Sequence, residues 1–286
     1  MPQRITGHTE LIGLIATPIR HSKSPMMHNT AFEALGLDYA YLAFDFQPDR
    51  LEDAVKGLKA LGAKGWNVSM PYKTDIIPLL DEISEVSRLC ESVNTVINRD
   101  GKLYGTVTDG TGYMSALADQ GFDIKGKKMT VLGCGGAATA ICIQAALDGV
   151  KEISIFNAND SFFHRAEENA AKINANTDCV AHAYPLEDTE RLRAEIASSA
   201  LLANATNVGM GRLEGVSLIT DKTMLRPDLI CTDVIYTPEE TAFLKLAREA
   251  GCPTMNGTGM VLYQGAASFK LWTGMDMPID AVKAVL

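Results

Sequence analysis

The sequence predicts an α/β fold with two domains and largely parallel sheets. Short apolar runs alternate with helical stretches through most of the chain, which is typical of consecutive βαβ units. A glycine-rich turn joins a strand to a helix near residue 133. The length of 286 residues is about twice that of a typical domain, and the hydrophobic fraction of 47% is enough for two cores.

The first half of the chain contains both helix and hairpin signals. Ser24-Pro25 predicts the beginning of a helix, with serine as the N-cap and proline at the first helical position. Asp100-Gly101 predicts a hairpin turn. Apolar periodicity predicts the other elements. They are strands over residues 11–16, 41–46, 64–69, 93–98 and 102–107, and a helix over residues 51–61.

The second half begins with a strand, a turn, a helix and another strand, over residues 129–132, 137–147 and 152–156. Together they fill about thirty residues, the size of one βαβ unit. Further strands are predicted over residues 201–203 and 229–232. Residues 258–286 have helical character and are expected to return to the first domain. We therefore predict one domain from residues 1–109 with 258–286 and another from residues 110–257.

Composition and charge narrow the choice of partners and compartment. The net charge of -9 disfavours nucleic acid and membrane surfaces, because both are bound by clustered cations. The polar N-terminal segment shows no secretion signal, and no apolar run approaches the roughly 20 residues that span a bilayer. The six cysteines have neither metal-binding nor redox spacing. The sequence predicts a cytoplasmic protein without a metal site.

The turn after the first strand of the second domain is Gly133-Cys134-Gly135-Gly136-Ala137-Ala138. In dinucleotide-binding folds the first glycine allows a tight turn, and the second lets the backbone approach the pyrophosphate. A small third residue lets the helix pack closely on the strand. Glycine turns also open α/β helices for steric reasons alone. Because a strand precedes this turn and a helix and a second strand follow it, we predict a Rossmann-type domain that binds a dinucleotide.

The segment Asn157-Ala158-Asn159-Asp160-Ser161 follows the second strand and bears on which dinucleotide is preferred. A site for NADP typically offers arginine to the 2′-phosphate, whereas a site for NAD places an acid near the ribose hydroxyls. The segment has no cation, and Asp160 is such an acid, although it would equally cap the next helix. We predict NAD as the preferred cofactor, with NADP possible. An arginine from elsewhere, such as Arg165 or Arg212, would reverse this preference.

Three short segments carry candidate catalytic or binding side chains. Ser22 and Ser24 place two hydroxyls before a helix, where they would hold a carboxylate or act as a solvated serine and a helix cap. Lys73 follows Pro71, and burial behind this proline would lower the pKa of its amine toward the range of proton transfer. Asp109 ends a strand, where it would share a proton with Lys73 or cap the following helix.

Taken together, seven motifs resemble the shikimate dehydrogenase family, in family order along nearly the whole chain. A likeness to its bacterial quinate/shikimate dehydrogenase branch comes from Phe156-Asn157 with Asp160 and from residues 263–266. The seven motifs are His21-Ser22-Lys23-Ser24-Pro25, residues 67–73 (Asn-Val-Ser-Met-Pro-Tyr-Lys), Val93-Asn94-Thr95, Thr108-Asp109-Gly110, the turn at Gly133, residues 204–210 and residues 259–266.

The resemblance implies an NAD(P)-dependent oxidoreductase that interconverts shikimate and 3-dehydroshikimate, in the chorismate pathway of aromatic amino acid biosynthesis. Lys73 and Asp109 would flank the hydroxyl that is oxidised and move its proton as a coupled pair. Ser22 and Ser24 would hold the carboxylate. The residues that would contact the ring hydroxyls or line the pocket are Tyr41, Asn67, Ser69, Asn94, Asp109, Tyr236 and Gln264.

On the cofactor side, the resemblance implies contacts from the glycine turn, the loop after the second strand and several later segments. These residues are Gly133, Cys134, Gly135, Gly136, Ala137, Asn157, Asp160, Asn204, Thr206, Asn207, Val208, Val234, Gly257 and Met260. Two departures from the family pattern bear on the cofactor. Ala158 stands where NADP-dependent members carry arginine, and Asn207 stands where some relatives have lysine.

Other functions stay open at this point. A quinate-preferring dehydrogenase would need to accept one extra hydroxyl beside the carboxylate, so residues around Ser22, Ser24 and Tyr236 would decide the substrate. A ligand sensor without turnover is expected to lose Lys73 or Asp109, and both are present. An unrelated Rossmann reductase does not account for the seven motifs. The expected partner is the small-molecule substrate, and the assembly states left open include a homodimer.

Overall fold

The computed structural model describes residues 5–20 and 22–285 of the chain. They form two compact units, one containing the described residues up to Thr108 and from Leu262 onward, the other Asp109–Val261. His21, part of the first motif, lies outside the described residues. Within the described ranges, every helix is too short or too polar to span a lipid bilayer.

The secondary structure alternates between strands and helices along the chain. The strands are β1 (Glu10–Ala16), β2 (Tyr39–Asp45), β3 (Gly65–Val68), β4 (Glu82–Ile83), β5 (Thr95–Arg99), β6 (Lys102–Thr106), β7 (Lys128–Leu132), β8 (Glu152–Asn157), β9 (Val180–Pro185), β10 (Leu201–Asn204), β11 (Ile230–Asp233) and β12 (Thr254–Met255). The helices are α1 (Ser24–Leu35), α2 (Leu51–Ala60), α3 (Glu85–Cys90), α4 (Asp109–Asp119), α5 (Gly136–Leu147), α6 (Phe163–Asn176), α7 (Thr189–Ser198), α8 (Ala242–Glu249), α9 (Thr258–Thr273) and α10 (Ile279–Lys283).

The first unit contains a mixed sheet with the strand order β2-β1-β3-β5-β6-β4. Strand β1 pairs in parallel with β2 and β3, whereas β5 is antiparallel to both β3 and β6. The β5–β6 hairpin turns at Asp100 and Gly101, whose φ angles are 51° and 86°. Asp-Gly is favoured in hairpin turns because both central positions require such left-handed values.

Helix α9 completes the core of the first unit. Its Phe269 and Trp272 are buried in one cluster with Phe32 of α1 and Tyr41 of β2. Nε1 of Trp272 donates a hydrogen bond to the backbone oxygen of Val96 at 2.9 Å. The indole therefore buries its apolar surface while its one polar atom is satisfied.

The second unit contains a parallel sheet with the strand order β12-β11-β10-β7-β8-β9. The chain passes from β7 outward to β9 and then returns through α7 to β10, which lies beside β7. Ligands of such sheets bind outside the carboxyl ends of the strands, at the point where the strand order reverses. Gly133 follows β7 and Ala205 follows β10, so the predicted glycine turn lies at this switch point.

Some local predictions are wrong. Lys23 occupies the N-cap position of α1, and Ser24 is the first helical residue instead of the cap. The hydroxyl of Ser22 accepts from the backbone N–H of Ser24 at 3.2 Å, a local side-chain-to-backbone bond just before the helix, and α1 has no side-chain cap. The sequence predicts neither β4 nor α3, because elements of 2 and 6 residues are too short to show a periodic pattern.

Candidate active site

Buried amide and hydroxyl groups meet inside the first unit. We call the polar cluster the residues Tyr41, Asn67, Asn94, Thr95, Thr108 and Ser268. The Tyr41 hydroxyl donates to Oδ1 of Asn67 at 2.7 Å. Nδ2 of Asn67 lies 3.0 Å from the backbone oxygen of Asn94, 3.2 Å from Oγ1 of Thr95 and 3.1 Å from Oγ of Ser268. These contacts fix which way the Asn67 amide faces.

Asn94 orders the opposite side of the polar cluster. Its Oδ1 accepts from the backbone N–H of Thr108 at 2.9 Å and from the Thr108 hydroxyl at 3.1 Å. The Thr95 hydroxyl donates to the same Oδ1 at 2.9 Å. Asp109 is the next residue along the chain and the first of α4. The backbone that carries the predicted catalytic carboxylate is therefore fixed on its N-terminal side.

The Tyr41 hydroxyl also forms a hydrogen bond with the side chain of Ser24, at the beginning of α1. Burial raises the pKa of Tyr41 well above its usual value, and the Ser24 bond offsets this only in part. Tyr41 is therefore a neutral hydroxyl. It connects the predicted carboxylate-binding Ser24 with the predicted hydroxyl-binding Asn67.

The loop that carries Lys73 is fixed to the sheet on both sides. The N–H of Ser69 donates to the backbone oxygen of Ile15 at 3.0 Å, and the N–H of Val93 donates to that of Lys73 at 2.8 Å. Between them, the Tyr72 side chain is fully buried. Lys73 itself is half-buried. The backbone from which the Lys73 side chain extends is therefore fixed to the sheet.

The predicted substrate residues occupy different environments. Those joined in one chain of hydrogen bonds are Ser24, Tyr41, Asn67 and Asn94. Others in the first unit are half-buried, namely Ser22, Ser69 and Gln264. Tyr236 belongs to the second unit, where its side chain is 48% exposed.

Sequence reasoning missed Thr95, Thr108 and Ser268 as members of the polar cluster. The signals for Thr95 and Thr108 were available, since they belong to the Val93-Asn94-Thr95 and Thr108-Asp109-Gly110 motifs. Ser268 follows Gln264 by four positions in α9, and its hydroxyl donates to the backbone oxygen of Gln264 at 3.1 Å. Residues at this spacing share one helix face, so the predicted role of Gln264 pointed toward Ser268 as well.

In the second unit, the glycine turn has the geometry that the sequence predicts. Gly133 has a φ of 109°, and a Cβ placed there would lie 2.8 Å from Cγ2 of Thr206. Added Cβ atoms at Gly135 and Gly136 would meet nothing within 4 Å. The first turn of α5 therefore faces open space, into which its free N–H groups can receive a phosphate. These features fit a dinucleotide.

A cavity of about 530 Å³ lies beside this turn. The predicted cofactor residues that line it are Gly133, Cys134, Gly135, Asn157, Asp160, Thr206, Asn207 and Val208. Its wall also contains Phe162, Arg165 and Leu186, which were not among the predicted contacts. The cavity therefore lies at the ends of β7, β8 and β10, as expected for a ligand site of a parallel sheet.

Six predicted cofactor residues do not line this cavity: Gly136, Ala137, Asn204, Val234, Gly257 and Met260. Asn204 differs most from its expected position along the dinucleotide, because its side chain is only 3% exposed. Its amide forms hydrogen bonds with Thr206, Val208 and Asp233 inside the protein. Sequence position places Asn204 beside the cofactor, but burial turns its side chain inward.

Charges of both signs line the cavity. The Asp160 carboxylate accepts from the backbone N–H of Phe162 at 2.8 Å, in the turn before α6. Phe162 is the N-cap of α6 and the helix has no side-chain cap, so the alternative prediction that Asp160 caps it is wrong. Burial raises the pKa of the Cys134 thiol, while Arg165 lowers it and Asp160 raises it. Arg165 and Asp160 thus act on the same thiol from the same cavity wall. The wall therefore contains a cation that residues 157–161 lack, from one of the two arginines that the sequence analysis named as able to reverse the preference for NAD.

Models of two family domains match the chain. The "Shikimate dehydrogenase substrate binding domain" matches residues 14–96, and the "Shikimate 5'-dehydrogenase C-terminal domain" matches residues 257–286. A relative from Listeria monocytogenes, named "Shikimate dehydrogenase (NADP(+))", is 58% identical over 284 residues, which cover 99% of this chain and 98% of the relative. The name of this relative gives NADP(+) as the cofactor of that protein.

Solved structures agree over the whole chain. Shikimate 5-dehydrogenase from Listeria monocytogenes, in complex with shikimate and NAD, has a TM-score of 0.97 at 58% identity, covering 100% of this chain and 99% of that chain. A shikimate dehydrogenase in complex with NADP+ has a TM-score of 0.87 at 38% identity, covering 99% and 96%. The predicted resemblance and α/β fold class are confirmed. The chain belongs to the shikimate dehydrogenase family.

Proposed function

We propose that the chain catalyses the reversible oxidation of shikimate to 3-dehydroshikimate with a nicotinamide dinucleotide. The observation that carries the proposal is the 58% identity, over 99% of the chain, to a relative named for this activity. The polar cluster supports it, because a polyhydroxylated ring needs several fixed donors and acceptors. In this proposal the first unit binds the substrate and the second binds the dinucleotide.

The substrate would be held at its carboxylate and at its hydroxyls. Ser22 and Ser24 are assigned to the carboxylate, and the bond between Ser24 and Tyr41 would keep the serine oriented. Ring hydroxyls are assigned to Asn67, Ser69, Asn94, Asp109 and Gln264. Tyr41 and Tyr236 are assigned to the pocket wall.

The reaction requires a proton and a hydride to leave the same alcohol. A dinucleotide held in the second unit would supply the hydride acceptor for the oxidation and the hydride donor for the reverse direction. Lys73 and Asp109 are assigned to the hydroxyl proton, which one of them takes as the C–O bond becomes a carbonyl. A cation beside the oxygen also stabilises the negative charge that develops there.

NADP is proposed as the preferred cofactor, with NAD also accepted. The name of the Listeria monocytogenes relative supports NADP as the preferred cofactor. Arg165 provides a physical reason for this preference. Residues 157–161 contain no cation, but Arg165 lines the same cavity as Asp160 and offers a guanidinium to the 2′-phosphate. Arg165→Ala should therefore raise KM for NADP by about tenfold while changing KM for NAD much less. Equal changes in KM for both cofactors would mean that Arg165 does not contact the 2′-phosphate.

Steady-state kinetics with shikimate and quinate, each with NAD and with NADP, test the proposal. Turnover of shikimate with a higher kcat/KM than quinate supports it. A higher kcat/KM for quinate would favour the quinate-preferring alternative. Binding of shikimate without turnover would instead favour the ligand sensor. The homodimer and the cytoplasmic location stay predictions, and analytical ultracentrifugation of the purified chain tests the first of them.

A further inference from the structure

We propose that Asp233 is a positioning residue for the dinucleotide, acting through Asn204 on the turn of residues 204–208. The inference rests on the proposed function, since it takes the cavity beside this turn as the cofactor site. Ala205, Thr206, Asn207 and Val208 line that cavity, but Asn204 and Asp233 do not. The pair lies behind the turn, at 3% and 1% exposure.

The side chain of Asn204 holds the turn together from within. Its Oδ1 accepts from the N–H and hydroxyl of Thr206, at 3.2 and 2.7 Å. Its Nδ2 donates to the backbone oxygen of Val208 at 3.0 Å. The Thr206 hydroxyl accepts from the N–H of Val208 at 3.1 Å. The position of residues 205–208 in the cavity wall therefore depends on how the Asn204 amide is oriented.

Asp233 fixes that orientation and links it to neighbouring segments. Its Oδ2 accepts from Nδ2 of Asn204 at 3.1 Å and from the hydroxyl of Thr241 at 2.8 Å. Its Oδ1 accepts from the N–H of Ile235 at 3.0 Å. Thr241 is the N-cap of α8, and the backbone oxygen of Ile235 accepts from Gly257 at 2.9 Å. One carboxylate thus joins the turn, the segment after β11 and the beginning of α8.

A buried carboxylate is an expensive way to stabilise a sheet. Burial raises the pKa of Asp233, and the three hydrogen bonds only oppose this effect. Strands β10 and β11 are already paired in parallel from Leu201 to Asn204, so their pairing does not depend on the carboxylate. What the carboxylate adds is acceptors for three donors on separate segments. This is the property needed to hold a ligand-binding turn in one position.

An asparagine at position 233 would have the same shape as Asp233 but could not accept all three of its hydrogen bonds. An amide offers one oxygen and one NH2 group, whereas all three neighbours of Asp233 donate to it. If the amide oxygen faces Ile235, its NH2 group meets Nδ2 of Asn204, and the Asn204 amide would rotate or shift together with the turn. If the oxygen faces Asn204 and Thr241 instead, the NH2 group meets the N–H of Ile235, and the segment that carries Ile235 would shift against the turn.

The test is equilibrium binding of NADP and of NAD to the purified full-length chain, with KM and kcat measured in parallel. Asp233→Asn should weaken dinucleotide binding by about tenfold or more and raise cofactor KM equally, because a hydrogen bond to a charged group is lost. The kcat at saturating cofactor and KM for shikimate should stay within about threefold of wild type. A variant that only lost stability would not combine weaker dinucleotide binding with an unchanged kcat and an unchanged KM for shikimate.

Glu195→Gln is the matched control. Glu195 is also a buried acid of the second unit, 7% exposed, and accepts from Oγ of Ser154 at 2.7 Å. It pairs with Lys128, at the beginning of β7, whereas the cavity lies beyond the end of that strand. The control should lower the free energy of unfolding without changing dinucleotide affinity. If Asp233→Asn behaves in the same way, Asp233 only stabilises the fold and the inference is overturned.

A second pair of variants covers the case in which Asp233→Asn does not fold. Thr241→Val removes one donor to Asp233 without touching the cavity, and should weaken dinucleotide binding by about threefold. Thr241→Ser keeps the hydroxyl and should restore wild-type affinity. Equal affinity in Thr241→Val and wild type would overturn the inference while leaving the proposed function intact. If the wild-type chain bound neither dinucleotide, this inference and the proposed function would both be overturned.

Discussion

The protein should lose stability in mild acid because of His28, and replacing this residue should remove much of the loss. His28 is fully buried in the first unit, and within the described residues neither of its ring nitrogens has a hydrogen-bond partner. Its ring stacks on Tyr41 at 4.5 Å with an interplanar angle of 11°, and lies 5.3 Å from the ring of Trp272. A charged imidazole here would lose its hydration without gaining a hydrogen-bond acceptor among the described residues.

Burial lowers the pKa of His28 from 6.5 to about 3 in the folded chain. Between these two values the unfolded chain binds a proton that the folded chain does not, so stability falls as the pH falls. Above the pKa of His28 in the unfolded chain, its full contribution to stability is present. Below its pKa in the folded chain, the loss of stability no longer increases. Each pH unit within the window corresponds to about 1.4 kcal/mol, so the change from about pH 7 to about pH 4.5 is about 2.5 kcal/mol.

The assay is urea unfolding of wild type and His28→Leu at both pH values. Leucine cannot titrate and leaves no polar atom unpaired, so the free energy of unfolding should fall less in this variant, by about 2.5 kcal/mol. Carboxylates also protonate in this range, but they are common to both proteins and cancel in the comparison. His182→Asn, at an exposed position, is the control and should follow wild type. The same pH dependence in His28→Leu and wild type would refute the reasoning.

Three further predictions concern the proposed site. Lys73→Ala and Asp109→Ala should each lower kcat by about 10²–10⁴-fold, since each removes one member of the proton-transfer pair; near-wild-type kcat in a folded variant contradicts the mechanism. Ser24→Ala should raise KM for shikimate more than it lowers kcat, because a carboxylate contact is similar in the ground and transition states; an effect on kcat alone would move the serine to another part of the site. Gly135→Ala should keep the free energy of unfolding within about 1 kcal/mol of wild type, because its φ of -70° suits alanine and its Cβ meets no atom within 4 Å, while cofactor KM rises. Gly133→Ala is its counterpart and should unfold more easily, with a φ of 109° and a 2.8 Å approach to Thr206; unchanged cofactor KM in Gly135→Ala would mean that the dinucleotide does not approach this turn.

Features encoded within a short stretch of chain could be predicted from the sequence. The β5–β6 hairpin and the turn at Gly133 each need backbone angles that few residues adopt, so Asp-Gly and glycine identify them directly. Many strands and helices of ordinary length follow from apolar periodicity, which is a property of neighbouring residues, but β9, α7 and α8 were not predicted from it. The local signal was ambiguous at Ser24, which precedes Pro25, and the prediction that Ser24 is the N-cap of α1 was wrong.

By itself, therefore, the sequence determined the fold class, the order of the motifs and the identity of the candidate catalytic residues. Only the tertiary structure decided which side chains share an environment. Nδ2 of Asn67 lies 3.1 Å from the hydroxyl of Ser268, although the two residues are 201 positions apart. Arg165 reaches the cavity wall that residues 157–161 leave without a cation, and the Asn204 side chain turns inward to Asp233. Such contacts depend on how whole elements pack, and no local pattern of residues encodes that packing.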